Sequence, residues 1–484
     1  MYKNDQHLTI ARESRICEMP SMHTLRGIIG ILIVLLAAYL LSNNKSRIRW
    51  RPVLGGLMIQ LTLAFVVLRW ETGREGLLSL TRGVQQVIDA SQEGIGFMFG
   101  PLASNESMGE VFGNHLAFVF AFRVLPLIIF FASLISVLYY VGIMQVLVKW
   151  IGGGLQMLLG TSKPESMAAA ANIFVGQSEA PLVIRPYLKT LTPSGLFTVV
   201  VGGLASVAGS MLGGYAALGV PLEYLLAACF MSAPAGLAMA KLMFPEVERS
   251  EQDTGEEDPG DIRGDTANVV DAAAKGAGDG LIMALNIGAM LMAFISLIAL
   301  CNLLLGLLAN QSSTQQALAL GVGLLLIGSG SYVWKTKTRQ SSTPWLVAGV
   351  TLALMAMSGY YGGVTLQQVF GWIFSPAAWA IGIPWSEAQT GGNFIGQKLV
   401  LNEFVAYASF VGEMETLSPK TNLIISFALC GFANLGSMAV NLGTYAKLAP
   451  ERRAEVARLL PKAVAAGMFA SFLSASMAGM FFVG

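Results

Sequence analysis

Two short polar stretches interrupt otherwise apolar sequence, and each carries a glutamate. The first runs Asn172-Ile-Phe-Val-Gly-Gln177-Ser178-Glu179-Ala-Pro181, the second Ile383-Pro384-Trp385-Ser386-Glu387-Ala388-Gln389-Thr390-Gly-Gly392. A carboxylate inside a membrane is costly unless paired, hydrated or protonated, so Glu179 and Glu387 need a reason to be there. Ionised carboxylates accept hydrogen bonds from hydroxyls, which suits a polar neutral solute. Gln177 and Asn434 add amides that donate and accept, Ser178 and Ser437 add hydroxyls, and Phe432 offers an aromatic wall. No arginine cluster accompanies them, which argues against an anionic solute. Asn172 and Ser206 bring uncharged side-chain oxygens, and with freed backbone carbonyls they suit one sodium ion, a hard cation. The plainer alternatives are an ion pair of either glutamate with Arg123 or Arg185, and Asn172 and Ser206 as polar glue between helices. Hydrolysis by Ser178 and Glu179 lacks a base, because no histidine lies near either stretch and there is no His-Glu-x-x-His.

The elements that must position these residues are legible nearby. Apolar arms flank the tips: Met167–Val175 in the first case, Phe394–Val400 with Phe404–Phe410 beyond in the second. Proline breaks helices and glycine tolerates a reversal, so each stretch predicts a helix–turn–helix hairpin that dips into the membrane and returns. Downstream come Gly203-Leu-Ala205-Ser206-Val207-Ala-Gly209-Ser210 and Gly431-Phe432-Ala433-Asn434-Leu435-Gly436-Ser437, in which Ser206 aligns with Asn434. Small residues at this density permit backbone unwinding or close helix approach. The unit of hairpin plus glycine-rich helix therefore occurs twice. Counting loops brings the first hairpin in from the cytoplasm and the second from outside, so the repeats are inverted, the pattern of a secondary transporter with a midplane site. A channel is the competing class, but one occluded site between two halves suits alternating access better.

Composition agrees. Of 484 residues, 54% are hydrophobic and 12% charged, where a soluble domain carries roughly a quarter charged residues. Clear spanning runs are Leu25–Ser42, Val53–Leu68, Leu116–Val141, Leu196–Ala217, Leu222–Met243, Leu281–Leu308 and Ala465–Val483, with weaker ones at Gln316–Val333, Trp345–Met357 and Leu423–Leu442. Period-two alternation is absent, which makes an outer-membrane barrel improbable, and a bacterial inner membrane is the expected setting. Basic residues at Lys45–Arg51, Lys149, Lys335–Arg339 and Arg452–Arg458 all fall inside on one count, with the N-terminus periplasmic. Gly76–Phe99, Gly142–Leu159 and Pro450–Lys462 read as interfacial helices. Glu246–Asp265 is an acidic cytoplasmic linker without the spacing of a calcium loop. The four cysteines are scattered, with no metal or disulfide spacing. The first 22 residues lack the apolar core of a signal peptide, and translation starting at Met19 or Met22 would remove most of them. The net charge of +1 carries no nucleic-acid footprint, and neither nucleic acid nor an organic cofactor is expected.

Gly176-Gln-Ser-Glu-Ala-Pro181, Asn402-Glu-Phe-Val-Ala-Tyr407 and Cys430-Gly-Phe-Ala-Asn434 resemble the signature stretches of the concentrative nucleoside transporter family. The resemblance runs from about Leu25 to the C-terminus. It implies an all-α polytopic membrane protein with inverted repeats and two re-entrant hairpins, split into scaffold and transport domain. It further implies a homotrimer, an elevator-like movement and nucleoside import driven by sodium, with proton coupling as the alternative that retention of Asn172 and Ser206 disfavours. Carried over, Gln177, Ser178, Glu179, Met211, Glu387, Phe432, Asn434 and Ser437 meet the nucleoside, with Glu387 on the ribose side. Asn172, Ser206 and the carbonyls of Val175 and Val207 hold sodium. Ser178 stands where many members have threonine and Met211 where valine is common, which leaves base selectivity open. The expected organisation is a polar lead (1–24), scaffold helices (25–160), first repeat (161–245), linker (246–278), long trimerisation helix (279–310), an inserted pair of weak spans (311–362) and second repeat (363–484).

Overall fold

The computed structural model describes residues 20–113, 118–247, 266–307, 313–336, 346, 348–350, 352–353 and 364–482, which are helical with no strand among them. The polar lead, most of the acidic linker and much of the second inserted span lie outside the described residues.

Scaffold helices come first: α1 (Pro20–Leu40), α2 (Trp50–Leu68), the polar-faced α3 (Glu71–Phe99), α4 (Asn105–Phe112), α5 (Phe120–Arg123) and α6 (Leu125–Val141). The first repeat follows. Helix α7 (Ile143–Leu159) leads to a hairpin of α8 (Lys163–Ala171) and α9 (Ala180–Val183). Next come two half-helices, α10 (Pro193–Ala205) and α11 (Gly209–Leu218), and the long α12 (Leu222–Met243). Beyond α13 (Val269–Gly306) and α14 (Ser313–Thr336) the order recurs: α15 (Leu366–Ala380), a hairpin of α16 (Trp385–Val400) and α17 (Glu403–Glu413), half-helices α18 (Pro419–Leu429) and α19 (Leu435–Leu448), and α20 (Arg453–Met480). The spans expected at Leu196–Ala217 and Leu423–Leu442 are thus each two half-helices, broken where glycine and polar residues coincide.

Burial separates two layers. The apolar stretches in Pro193–Leu218 and Leu222–Met243 are 94% buried and that in Pro450–Met480 is 83% buried, against 28% for Trp50–Leu68 and 22% for both Phe120–Val141 and Val269–Gly306. The repeats therefore form the inside, and the early helices with α13 form an apolar rim that only lipid or another protein can cover. Helices α10 and α12 of the first repeat pack on α20 of the second. Helix α13, 38 residues and so about 57 Å long, lies against α6 through Ala272, Gly276 and Gly280. A Cβ on Gly280 would sit 2.8 Å from Ile129 Cα, and Ser133 and Ser136 donate to the carbonyls of Ala273 and Ala272 at 2.9 and 2.8 Å. Small residues here let two backbones meet, as between helices in lipid.

Two expectations shift. Helix α13 starts at Val269, within the stretch read as linker, because Asn268 caps it by accepting from Asp271 N–H at 2.9 Å. Pro450–Lys462 is not a separate interfacial helix: a short turn at Pro450–Arg452 leads into α20, which carries Pro461 internally. The inserted helix α14 meets the described part of the next segment through glycines, since a Cβ on Gly323 would lie 2.8 Å from Ala353 N.

Candidate functional site

Helix α8 begins with a capping box, in which Glu165 accepts from Ser162 N–H at 3.0 Å. It ends at Asn172, and the chain from there to Glu179 forms the hairpin tip. Asn172 is 1% exposed. Its Nδ2 donates to Ala168 O at 2.9 Å, while Oδ1 is buried without a partner. Beside it α10 breaks at Ser206, which is extended (φ −117°, ψ 170°) and donates from Oγ to Asn172 O at 2.7 Å. Gly209 N–H ties the far side of the break to Phe174 O at 2.8 Å. Val175 and Val207 are buried on the two facing unwound segments, and neither carbonyl accepts a backbone hydrogen bond among the described residues. An orphaned buried oxygen costs about 1–3 kcal/mol. Carbonyl oxygens at the C-terminal end of a half-helix, with the free amide oxygen of Asn172 beside them, are of the kind that can face a cation. Asn172, Val175, Ser206 and Val207 are therefore brought together.

The second break, Cys430–Asn434, crosses the first: Phe432 N–H donates to Ser206 O at 3.1 Å. Gly431 has φ +153°, and a Cβ there would meet Ser471 Oγ at 2.8 Å and Ala205 O at 3.0 Å, so the crossing requires glycine. Asn434 caps α19, accepting from Ser437 N–H at 2.7 Å. Gln177 reaches over from the first hairpin, donating from Nε2 to Ser437 Oγ at 3.0 Å and accepting from Asn441 Nδ2 at 2.7 Å. The Phe432 ring lies over the first tip, with Cε2 3.9 Å from the Cβ position of Gly176. Met211 is buried in the first turn of α11. Ser178 and Glu179 are only half-buried. Glu179 Oε2 accepts from Gly176 N–H at 3.1 Å, which leaves Oε1 for another donor. No ion pair with Arg123 or Arg185 forms among the described residues.

Glu387 is not brought to this cluster. The tip of the second hairpin is Leu401–Asn402, and the stretch read as the tip is the first half of α16. Glu387 lies in the first turn of α16, about 20 Å along the helix from its end. There it accepts from Ser418 N–H at 3.1 Å and Ser418 Oγ at 2.9 Å, tying α16 to the start of α18. The carboxylate that does reach the cluster is Glu403, 4% exposed. Asn434 Nδ2 donates to its Oε2 at 3.0 Å and the Tyr215 hydroxyl to its Oε1 at 3.1 Å. Tyr215 itself packs between Phe404 and Tyr407. Glu403, Tyr215 and Asn441 were missed by reading the sequence. The signal that would have found Glu403 is its place in Asn402-Glu-Phe-Val-Ala-Tyr407, between the apolar arms Phe394–Val400 and Phe404–Phe410.

Two hairpin tips and two broken helices converging on one buried polar cluster, inside helices apolar enough to span a bilayer, define a membrane transporter. Residues 29–102 match the family described as "Na+ dependent nucleoside transporter N-terminus", 121–222 "Nucleoside recognition", and 224–329 with 345–479 "Na+ dependent nucleoside transporter C-terminus". The chain belongs to this concentrative nucleoside transporter family. Similar proteins include "Uncharacterized transporter YutK" of Bacillus subtilis, 48% identical over 95% of this chain and 100% of that one. "Nucleoside permease NupC" of Helicobacter pylori is 41% identical over 95% and 98%. The solved structure of CNTnw in an inward-facing substrate-bound state is 46% identical, covers 95% of this chain and 98% of that one, and has a TM-score of 0.80. An outward-facing variant of CNTnw, 45% identical, covers 96% and 99% with a TM-score of 0.81. The fold thus occurs in states open to either side, consistent with alternating access.

Proposed function

We propose that the protein imports nucleosides by symport with sodium, the two halves carrying solute and ion past the scaffold together. The observation that carries the coupling is the unpartnered, buried Oδ1 of Asn172, a residue whose backbone carbonyl Ser206 Oγ joins to the break, between the unwound segments that carry Val175 and Val207. The nucleoside lies between the tips. Gln177, Ser178 and Glu179 meet it from the first hairpin, Phe432 packs on the base, and Met211 lines the site. Asn434, Ser437 and Glu403 hold the ribose side, Glu403 taking the role that the sequence assigned to Glu387. Coupling to a proton instead would leave Asn172 Oδ1 without an ion to balance its burial. Uptake of labelled uridine, with sodium replaced by choline at fixed pH, tests the coupling: undiminished uptake refutes it.

The setting is the bacterial inner membrane, with the N-terminus outside and the hairpins re-entrant. The apolar face of α13, where Ile282, Leu285 and Met292 are 61–74% exposed, supports assembly into a homotrimer around that helix. Light scattering of the detergent-solubilised protein reads its mass directly, and a monomeric mass would exclude the trimer.

A further inference from the structure

Each repeat contains a half-helix that ends at the break, α10 at Ser206 and α18 at Cys430. The last carbonyls of a helix lack intrahelical partners and carry about half a negative charge, which favours a cation. In the first repeat this end meets Asn172, on the hairpin arm running into the tip, and its side chain is neutral with a spare oxygen. In the second repeat the corresponding arm carries Lys398, in the last turn of α16 and fully buried. Lys398 Nζ donates to Ala428 O at 2.8 Å and to Ser471 Oγ at 3.1 Å. Ser471 Oγ in turn lies 3.2 Å from Cys430 O, at the break itself. Lys398 forms no ion pair with a carboxylate among the described residues, so salt-bridge formation does not explain its burial. What surrounds the ammonium is a carbonyl at a half-helix end and a hydroxyl, oxygens of the kind that face the cation site in the first repeat.

We propose that Lys398 is a resident cation, occupying in the second repeat the position that exchangeable sodium takes in the first. The inverted repeats offer two half-helix ends, and the protein fills one permanently. Each protomer then has one exchangeable cation site and moves one sodium per nucleoside. The fixed charge also stands near the tip that carries Glu403, and favours the ionised carboxylate that accepts ribose hydroxyls in every state of the cycle. The assignment rests on the sodium reading above, and the experiment separates the two.

Binding of labelled uridine to the purified full-length protein is measured against sodium concentration, with choline keeping ionic strength constant. The wild type is expected to show a Hill coefficient of one. Lys398→Met, nearly isosteric and uncharged, should lower uridine affinity at saturating sodium by about tenfold or more. Lys398→Asn, which replaces the ammonium with a short oxygen donor, should steepen the sodium dependence toward a Hill coefficient of two. A wild-type coefficient of two, or wild-type uridine affinity in Lys398→Met, overturns the proposal. If Lys398→Met does not elute as a folded species, the wild-type coefficient decides alone. Absence of any sodium dependence in the wild type overturns the sodium reading instead, while the uridine affinity of Lys398→Met still decides whether the fixed charge matters.

Discussion

Glu403 and Glu387 are both glutamates in the second repeat, and replacing each by glutamine separates their roles. Glu403 accepts from Asn434 Nδ2 and from the Tyr215 hydroxyl. Glutamine can keep its oxygen toward Asn434 and turn its amide toward Tyr215, whose hydroxyl rotates to accept. The substitution therefore removes charge while leaving the packing and the hydrogen-bond count intact. A solute hydroxyl donating to Glu403 loses a bond to a charged acceptor, about 1.5–3 kcal/mol. At tenfold per 1.4 kcal/mol this is a loss of apparent uridine affinity of about 10-fold to 100-fold. Glu387 accepts from Ser418, N–H and hydroxyl, at the far end of α16. Glutamine can accept from one and donate to the other, so Glu387→Gln should leave uptake within about twofold, the effect of about 0.5 kcal/mol. Uptake of labelled uridine under an inward sodium gradient, normalised to protein in the membrane, gives both numbers. If Glu387→Gln abolishes uptake at normal protein levels while Glu403→Gln transports normally, the site has been built around the wrong carboxylate.

Ser206→Ala and Asn172→Ala each remove one oxygen from the candidate ion site and should raise the sodium concentration for half-maximal uptake about tenfold, for about 1.4 kcal/mol each. An unchanged sodium titration in both would count against that donor set. Gly203→Ala places a Cβ 2.9 Å from Gln177 Cβ and 3.0 Å from its Cα, in tightly packed surroundings. Overpacking of this kind costs about 1–3 kcal/mol, and uridine binding should weaken because the first hairpin tip is pushed away; calorimetry and a binding isotherm read the two effects. Lys241 is 6% exposed and binds Glu165 at 2.5 Å and Glu246 at 3.2 Å at the base of the first hairpin. Lys241→Met leaves those carboxylates without their cation and should destabilise by about 3–5 kcal/mol. The thermal midpoint in detergent should fall accordingly, and adding Glu165→Gln should recover part of the loss.

The first hairpin was legible because two independent signals coincide there. The alanine-rich arm before Asn172 is a good helix former, and Gly176 and Pro181 bracket a polar tip with no competing use for either residue. The two breaks were legible only in part: a run of small residues with one polar side chain marks either an opening in a buried helix or a close helix contact, and the structure shows the opening. Both Ser206 and Asn434 ended up at the crossing of the breaks, joined through Phe432 N–H and Ser206 O. The division into inner repeats and outer scaffold was less visible, since all these helices are apolar. Only burial distinguishes a helix covered by protein from one that needs lipid.

The second hairpin marks the limit. Membrane insertion, the duplicated unit and the first tip followed from composition and local pattern alone, while the small residues at Ser206 and Asn434 allowed either an unwound turn or a close helix contact. The identity of the second carboxylate did not, because proline and glycine have two uses that look alike in sequence. Pro384 was read as a turn residue but caps the start of α16, where no intrahelical bond needs its missing N–H. Gly391 and Gly392 were read as a reversal but lie inside α16. A Cβ on Gly392 would sit 2.7 Å from Ser375 N and 2.8 Å from Gly371 O, so the residue is small to let α15 and α16 touch. Whether a glycine turns a chain or seats a neighbouring helix depends on what lies beside it. Tertiary packing therefore chose Glu403 over Glu387, by placing one carboxylate at the crossing of the two breaks and the other at the opposite end of α16.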